Sequence, residues 1–188
     1  MNCRSCNKEE FLGFISLNKQ PPANAFLKED DFQKEISYSL DVTCCKNCLL
    51  VQLTDESYIP RDKLFLHYAD ASSISGGLRK HFTDLAVKIK SEFNPKLVVD
   101  IGSNDGVLLK PLLELGCESV GVEPARNLAK QANDKGLETI CSYFDKYTVD
   151  KIISEKRKAD IVVASNVFAH LDEYHEIIEN VKSLLSED

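Results

Sequence analysis

Two groups of residues in this 188-residue chain have the types and spacing to do chemistry: paired cysteines, and an acid–glycine turn followed by a second acid. Cys3 and Cys6 form one C-x-x-C pair, and Cys45 and Cys48 form another. A two-residue gap lets each pair turn two thiolates toward one ion, and tetrahedral zinc takes four such soft ligands. Four protein ligands leave no open coordination position, so zinc held this way is structural. Cys44 adjoins Cys45 and the two could exchange roles; Cys45 is preferred because it keeps the gap. The alternative is chance clustering, with Cys3 in an unstructured terminus.

The second group is Val98-Val99-Asp100-Ile101-Gly102-Ser103-Asn104-Asp105-Gly106, followed by Val120-Gly121-Val122-Glu123-Pro124. An apolar run ending in an acid and a glycine turn reads as a buried strand opening onto a helix. The second run also ends in an acid, about 20 residues further on, which is how a doubly wound fold holds an adenosine-containing cofactor. Asn104 stands where a dinucleotide fold has its second glycine, so the loop lacks a pyrophosphate cradle and fits S-adenosylmethionine (SAM) better than NAD. The candidate cofactor-binding residues are therefore Asp100, Gly102, Asn104, Asp105, Glu123 and Pro124. Gly102 and Asn104 are expected at the methionine moiety, the alternative being an ordinary strand-to-helix turn. Glu123 is expected at the ribose, because a carboxylate closing an apolar strand is poorly placed unless it binds something. Phe144 or Tyr143 is a candidate to flank adenine, although aromatics at a strand end are more often core. Asn166 should line the cleft at the carboxyl ends of the strands. His170 follows it, and read alone is equally a helix-capping or surface histidine.

These residues need elements to position them. Leu78, Phe82, Leu85, Ala86, Ile89 and Phe93 share one helical face, and Asn94-Pro95 ends that helix. Beyond it the pattern predicts strands over 97–101, 119–123, 139–144 and 159–165, alternating with helices over 107–115, 125–135, 149–155 and 174–185. Regular alternation implies a parallel sheet with right-handed crossovers. Pro111 is awkward inside its helix and implies a kink or a later start. Residues 1–55 differ in texture: they hold most of the cysteines, the turn former Pro21-Pro22 and short alternating runs such as Ile36-Ser37-Tyr38-Ser39-Leu40. The expected organisation is a small metal domain over 1–55, a linker over 56–71 packing back on the second domain, and a cofactor domain over 72–188.

A net charge of −7 argues against a nonspecific nucleic-acid binder, and no apolar run is long enough to span a membrane. Seven cysteines without a secretory signal point to metal ligands and free thiols, hence to the cytoplasm. Cys117 and Cys141 read as small hydrophobes at a helix end and within a strand. His67, His81 and His175 read as surface residues.

With both groups placed, the chain resembles the N-terminal portion of the sugar C-methyltransferases of deoxysugar biosynthesis, typified by the C3-methyltransferase of the tylosin (mycarose) pathway. The resemblance rests on Cys3-Arg4-Ser5-Cys6, Gln20-Pro21-Pro22-Ala23-Asn24-Ala25-Phe26, Cys45-Lys46-Asn47-Cys48-Leu49-Leu50-Val51-Gln52-Leu53 and the stretch from Tyr68 to Ser73. It continues through the loop from Asp100 to Gly106, Gly121-Val122-Glu123-Pro124 and Ala164-Ser165-Asn166-Val167-Phe168-Ala169-His170. It implies an α/β fold: a Rossmann-like SAM methyltransferase sheet, here strands one to four, preceded by a small zinc-binding domain with four cysteine ligands. It further implies SAM and zinc as cofactors and a nucleotide-linked 4-keto deoxysugar as substrate. A base removes the α-proton, and the enolate attacks the methyl sulfonium. His170 is then a substrate-binding or proton-handling group, and Tyr68, a core tyrosine by default, becomes a substrate-side hydroxyl. At Asp70 the family often has an aromatic residue in a Tyr-x-Tyr stretch.

On the resemblance, strands five to seven, a C-terminal domain and the general base fall beyond Asp188. The 188 residues are accordingly expected to lack methyl-transfer activity alone. Strand four, Asp160-Ile161-Val162-Val163-Ala164, would carry a free apolar edge that self-associates or is covered by a rearrangement. Two other functions fit the same residues: an O- or N-methyltransferase of a small molecule, or a non-catalytic module joining a zinc ribbon to a SAM-binding domain.

Overall fold

The computed structural model describes every residue except Asn24, Tyr58, 60–63, Leu66, His67, Asp172 and Asp188. Asn24 of the resemblance motif and His67, expected at the surface, thus lie outside the described residues. The chain divides into two compact units, Met1–Leu66 and His67–Asp188.

In the first unit, β1 (Phe11–Gln20), β2 (Tyr38–Cys45) and β3 (Val51–Leu53) form an antiparallel sheet in that order. Only Tyr38, Ser39 and Leu40 of the alternating run at 36–40 enter β2. The register of β1 against β2 is irregular between Gly13 and Ile15 and again between Ser16 and Lys19, as at β-bulges. The fully buried hydrophobic side chains among the described residues of this unit are Cys3 and Cys45. Its interior is therefore the sulfur cluster.

The second unit opens with α1 (Gly76–Phe93), whose N-cap Ser75 accepts a hydrogen bond from the Leu78 N–H. Asn94 ends it in the left-handed conformation, φ 44°. Phe82, Ala86 and Ile89 of the expected face are buried, whereas Phe93 at its end is exposed. There follow β4 (Leu97–Ile101), α2 (Leu109–Glu114), β5 (Glu118–Val122), α3 (Arg126–Asp134), β6 (Thr139–Ile140), α4 (Lys146–Glu155), β7 (Ile161–Val163) and α5 (Tyr174–Leu184). The sheet is parallel in the order β6-β5-β4-β7, with strand one flanked by strands two and four as expected. Strand periodicity sorts the core. Leu97, Val99 and Ile101 pack with Val149, Ile152, Ile177 and Leu184 on one face, while Val98 joins Phe82, Ala86, Leu108 and Leu112 on the other.

The later start of α2 puts Pro111 in its first turn, where proline is tolerated. Two expectations need correction. The third strand is two residues long, so Cys141 lies outside it and is exposed. Strand four is shorter than 159–165, yet its free side is not bare throughout. Ala159 N–H donates to Leu184 O at 2.9 Å and Ser186 N–H donates to Ala159 O at 2.9 Å, a parallel bridge laid down by the chain leaving α5. Ile161, Val162 and Val163 pair only with β4 among the described residues.

Candidate functional site

The two cysteine pairs sit in loops of the same form. Asn7 N–H donates to Cys3 O at 2.8 Å, and Leu49 N–H donates to Cys45 O at 3.0 Å. Cys3 N–H reaches Lys8 O, and Cys45 N–H reaches Leu50 O, both at 2.9 Å. Each loop turns on a left-handed residue just after its second cysteine: Asn7 at φ 58° and Leu49 at φ 64°. This repeated turn aims four sulfurs at one point. Cys3 Sγ lies 3.5 Å from Cys48 Sγ and Cys6 Sγ lies 3.6 Å from Cys45 Sγ, with all four within 4.8 Å of one another. Zinc–sulfur bonds of about 2.3 Å place tetrahedral sulfurs about 3.8 Å apart, so the donor set fits zinc. Cys45 belongs to this cluster and Cys44 does not.

Four clustered thiols cannot all ionise without a cation among them. A backbone hydrogen bond from Lys8 is the main cause holding Cys6 down at about 6. At Cys48 a backbone hydrogen bond from Leu50 acts in the same sense, but burial and the neighbouring sulfurs outweigh it and push the thiol up to about 11. Gln52 also serves the site, which its sequence position did not signal. Its buried amide accepts from Arg4 N–H at 3.0 Å and donates to Asn2 O at 3.4 Å, tying the first loop to β3.

Leu49 is the anomaly of this site, since a leucine side chain disfavours the left-handed region and this one is 72% exposed. Leu49→Asn, which copies Asn7, is expected to stabilise the zinc-loaded unit by about 1 kcal/mol, read as a higher denaturation midpoint.

In the second unit the acid–glycine loop lies at the carboxyl ends of β4 and β5. Gly102 adopts φ 69°, and a Cβ there would stand 2.6 Å from Val167 Cγ2, so glycine is required on both counts. Glu123 is 6% exposed and its carboxylate is fixed from two sides: Oε2 accepts from Asn104 N–H at 2.9 Å and Oε1 from Ala125 N–H at 2.8 Å. Each oxygen keeps a further lone pair for a ligand hydroxyl. Burial raises its pKa, and these two N–H donors oppose the rise. Asp100 is 4% exposed and has no hydrogen bond to its carboxylate among the described residues. Burial, and then the charge of Glu123, push it up to about 8. Ser103 Oγ is buried and likewise without a partner. One fixed acid, Glu123, together with the unpartnered Asp100 carboxyl and Ser103 hydroxyl, suits a ligand that carries hydroxyls, as SAM does.

The remaining expected residues separate. Asn104, at φ 53°, points its side chain at the segment before α1: Oδ1 accepts from Ser72 N–H at 2.8 Å and Nδ2 donates to Asp70 O at 3.2 Å. Asp105 is 1% exposed and its carboxylate is occupied by protein groups. It accepts from Ser73 N–H at 3.2 Å, from Ser73 Oγ, and from Lys135 Nζ at 2.9 Å. Burial alone would raise its pKa, but Ser73 and Lys135 together hold it below the usual carboxylate range. Phe144 packs into the core with Val149 and Ile152, so its ring is committed to the interior. Pro124 is half-buried beside Glu123. Tyr143 is half-buried in the segment after β6. Tyr68 is half-buried against Ala71, Ala125 and Leu128. Asn166, at φ 57°, and His170 are exposed in the loop after β7, His170 closing a short 3₁₀ turn over Phe168–His170. Ser73, Asn127 and Lys135 were not foreseen, because their roles depend on which backbone they meet in space.

Comparison with known proteins agrees with this division. Residues 3–65 match the family described as "Putative zinc binding domain" and residues 65–188 match that described as "Methyltransferase domain". The C-methyltransferase NovU of Streptomyces niveus is 36% identical over 190 residues, covering 99% of this chain and 45% of NovU. The ubiquinone biosynthesis O-methyltransferase of Glaesserella parasuis serovar 5 (strain SH0165) is 31% identical over 101 residues, covering 50% of this chain and 42% of that protein. The chain thus spans about half the length of the curated relatives it matches. Among solved structures, a SAM-dependent methyltransferase from Archaeoglobus fulgidus aligns with TM-score 0.48 at 22% identity, over 57% of this chain and 48% of that one. The CcbJ methyltransferase of Streptomyces caelestis aligns with TM-score 0.47 at 21% identity, over 56% and 45%. No helix of the described residues is long and apolar enough to cross a membrane. The chain belongs to the SAM-dependent methyltransferases, and carries a zinc-binding domain ahead of its methyltransferase domain.

Proposed function

We propose that this chain is the zinc-binding and cofactor-binding part of a C-methyltransferase that acts on a nucleotide-linked 4-keto deoxysugar. The observation that supports it best is the 36% identity to a C-methyltransferase across 99% of the chain, since this spans the cysteine loops as well as the cofactor loop. When bound, SAM supplies an electrophilic methyl group. Glu123 is assigned the ribose hydroxyls, Gly102 the backbone approach to the methionine moiety, and Asp100 a position beside them. Asn166 and His170 border the acceptor side, with His170 and Tyr68 as candidates to hold or move a proton. A ketone next to the acceptor carbon acidifies its hydrogen, so an ordinary base can expose the carbon nucleophile. The cysteine loops take no part in transfer, because a four-thiolate zinc has no open position.

The test is an assay of the complete gene product with SAM and a 4-keto-6-deoxy sugar nucleotide, the product read by NMR. A new carbon-bound methyl group is expected. A methyl group on oxygen or nitrogen would contradict carbon transfer and favour the small-molecule reading.

A further inference from the structure

We infer that segment 68–75 is a strap across the carboxyl ends of β4 and β5 whose ordering is coupled to cofactor binding. Asn127 and Asp105 are its positioning residues. The inference rests on the assignment of Glu123 to the cofactor. The strap contains one short 3₁₀ turn, Ser72–Ile74, and Ala71 is its one fully buried residue. A segment with so little buried surface is not ordered by its own packing. Four side chains instead hold its main chain, one of them Arg79 of α1, whose guanidinium donates to Ser73 O and to Ile74 O. Asn127 on α3 accepts from Tyr68 N–H at 3.3 Å and donates to Tyr68 O at 2.7 Å. Asn104 bridges Asp70 and Ser72, and Asp105 takes the Ser73 N–H and hydroxyl.

The coupling runs through Asn104. Its side chain holds the strap, while its own N–H is given to Glu123 Oε2. A ligand that fixes the Glu123 carboxylate also fixes the Asn104 backbone, and so favours the strap in its ordered form. Linkage is reciprocal, so loosening the strap must weaken the ligand. Asp105 anchors the same loop through a buried carboxylate paired with Lys135 at 2.9 Å, an arrangement costly to maintain unless fully partnered.

The probe is S-adenosylhomocysteine, titrated calorimetrically into the zinc-loaded wild-type chain and into Asn127→Ala, Asp105→Asn and the surface control Lys130→Ala. Amide hydrogen exchange over 68–75 is measured with and without the ligand. The ligand is expected to slow exchange of the Ser72 and Ser73 amides in the wild type. Asn127→Ala should speed exchange in the free protein and raise Kd about tenfold, with an unchanged circular dichroism spectrum. Asp105→Asn should do the same if it folds, and Lys130→Ala should change nothing. Strap exchange that ignores the ligand, or an Asn127→Ala Kd within about twofold of wild type, overturns the coupling. Absence of binding by the wild type overturns the cofactor assignment itself, and the coupling with it.

Discussion

Removal of zinc by a chelator is expected to unfold the first unit while leaving the parallel sheet of the second intact. The reason lies in what the first unit buries. Its fully buried hydrophobic side chains among the described residues are Cys3 and Cys45, and nine of the ten β1 residues are exposed. Three antiparallel strands without an apolar interior do not hold together in water. Structural zinc in four-thiolate sites contributes about 10–16 kcal/mol, and here that contribution takes the place of the core. Cys45→Ser should act like the chelator, because it removes a ligand at the centre of the cluster. Amide exchange resolved by unit is the measurement: protection lost over β1–β3 and kept over β4 and β5. Protection that survives a metal-free preparation would show that the strands cohere by other means.

The second large effect is a pH dependence centred on Asp100. Its folded-state pKa is raised to about 8 by burial and by the neighbouring Glu123 charge. The folded chain therefore holds a proton that the unfolded chain has released above about pH 4. Stability from this group is fully present below the unfolded pKa and is lost as pH rises through about 8. Glu123 is shifted in the same direction and adds to the slope. Asp105 is shifted the other way, but its contribution is constant above about pH 5 and lost only on acidification. At about 1.4 kcal/mol per pKa unit, Asp100→Asn is expected to stabilise the protein at pH 8 by a few kcal/mol. It should also flatten the fall in stability between pH 5 and 8. Urea titrations of wild type and variant across that range decide it. A wild type that gains stability from pH 5 to 8 would mean the carboxylate is ionised and partnered in the fold.

Much of this was legible in the sequence, for physical reasons that can be named. The sheet order followed from β-α alternation, since right-handed crossovers leave few ways to arrange four parallel strands. The sulfur cluster followed from spacing, because a short loop constrains both its cysteines. The same spacing favours Cys45 over Cys44, and the fold places Cys45 in the cluster and Cys44 outside it. The third strand was overextended because Tyr143 and Phe144 have high strand propensity, whereas Phe144 satisfies it by packing into the core outside any ladder. The place of Asp105 in the loop suggests a cofactor residue. Its partners Ser73 and Lys135 lie about 30 residues away on either side, beyond what a local pattern reveals. The roles of Asn104 and Asn127 were hidden likewise, because both act on main-chain groups, which carry no sequence signature.

Glu123 and the loop before it are proposed as the seat of an adenosyl cofactor. Calorimetric titration of S-adenosylhomocysteine and of NAD into the zinc-loaded wild-type chain and into Glu123→Ala tests this most directly. Wild type should bind the former in preference to NAD, and Glu123→Ala should lose about 1.5–3 kcal/mol of that binding, the worth of hydrogen bonds to a charged group. Equal affinity in the variant would remove Glu123 from the site, and preference for NAD would contradict the account as a whole.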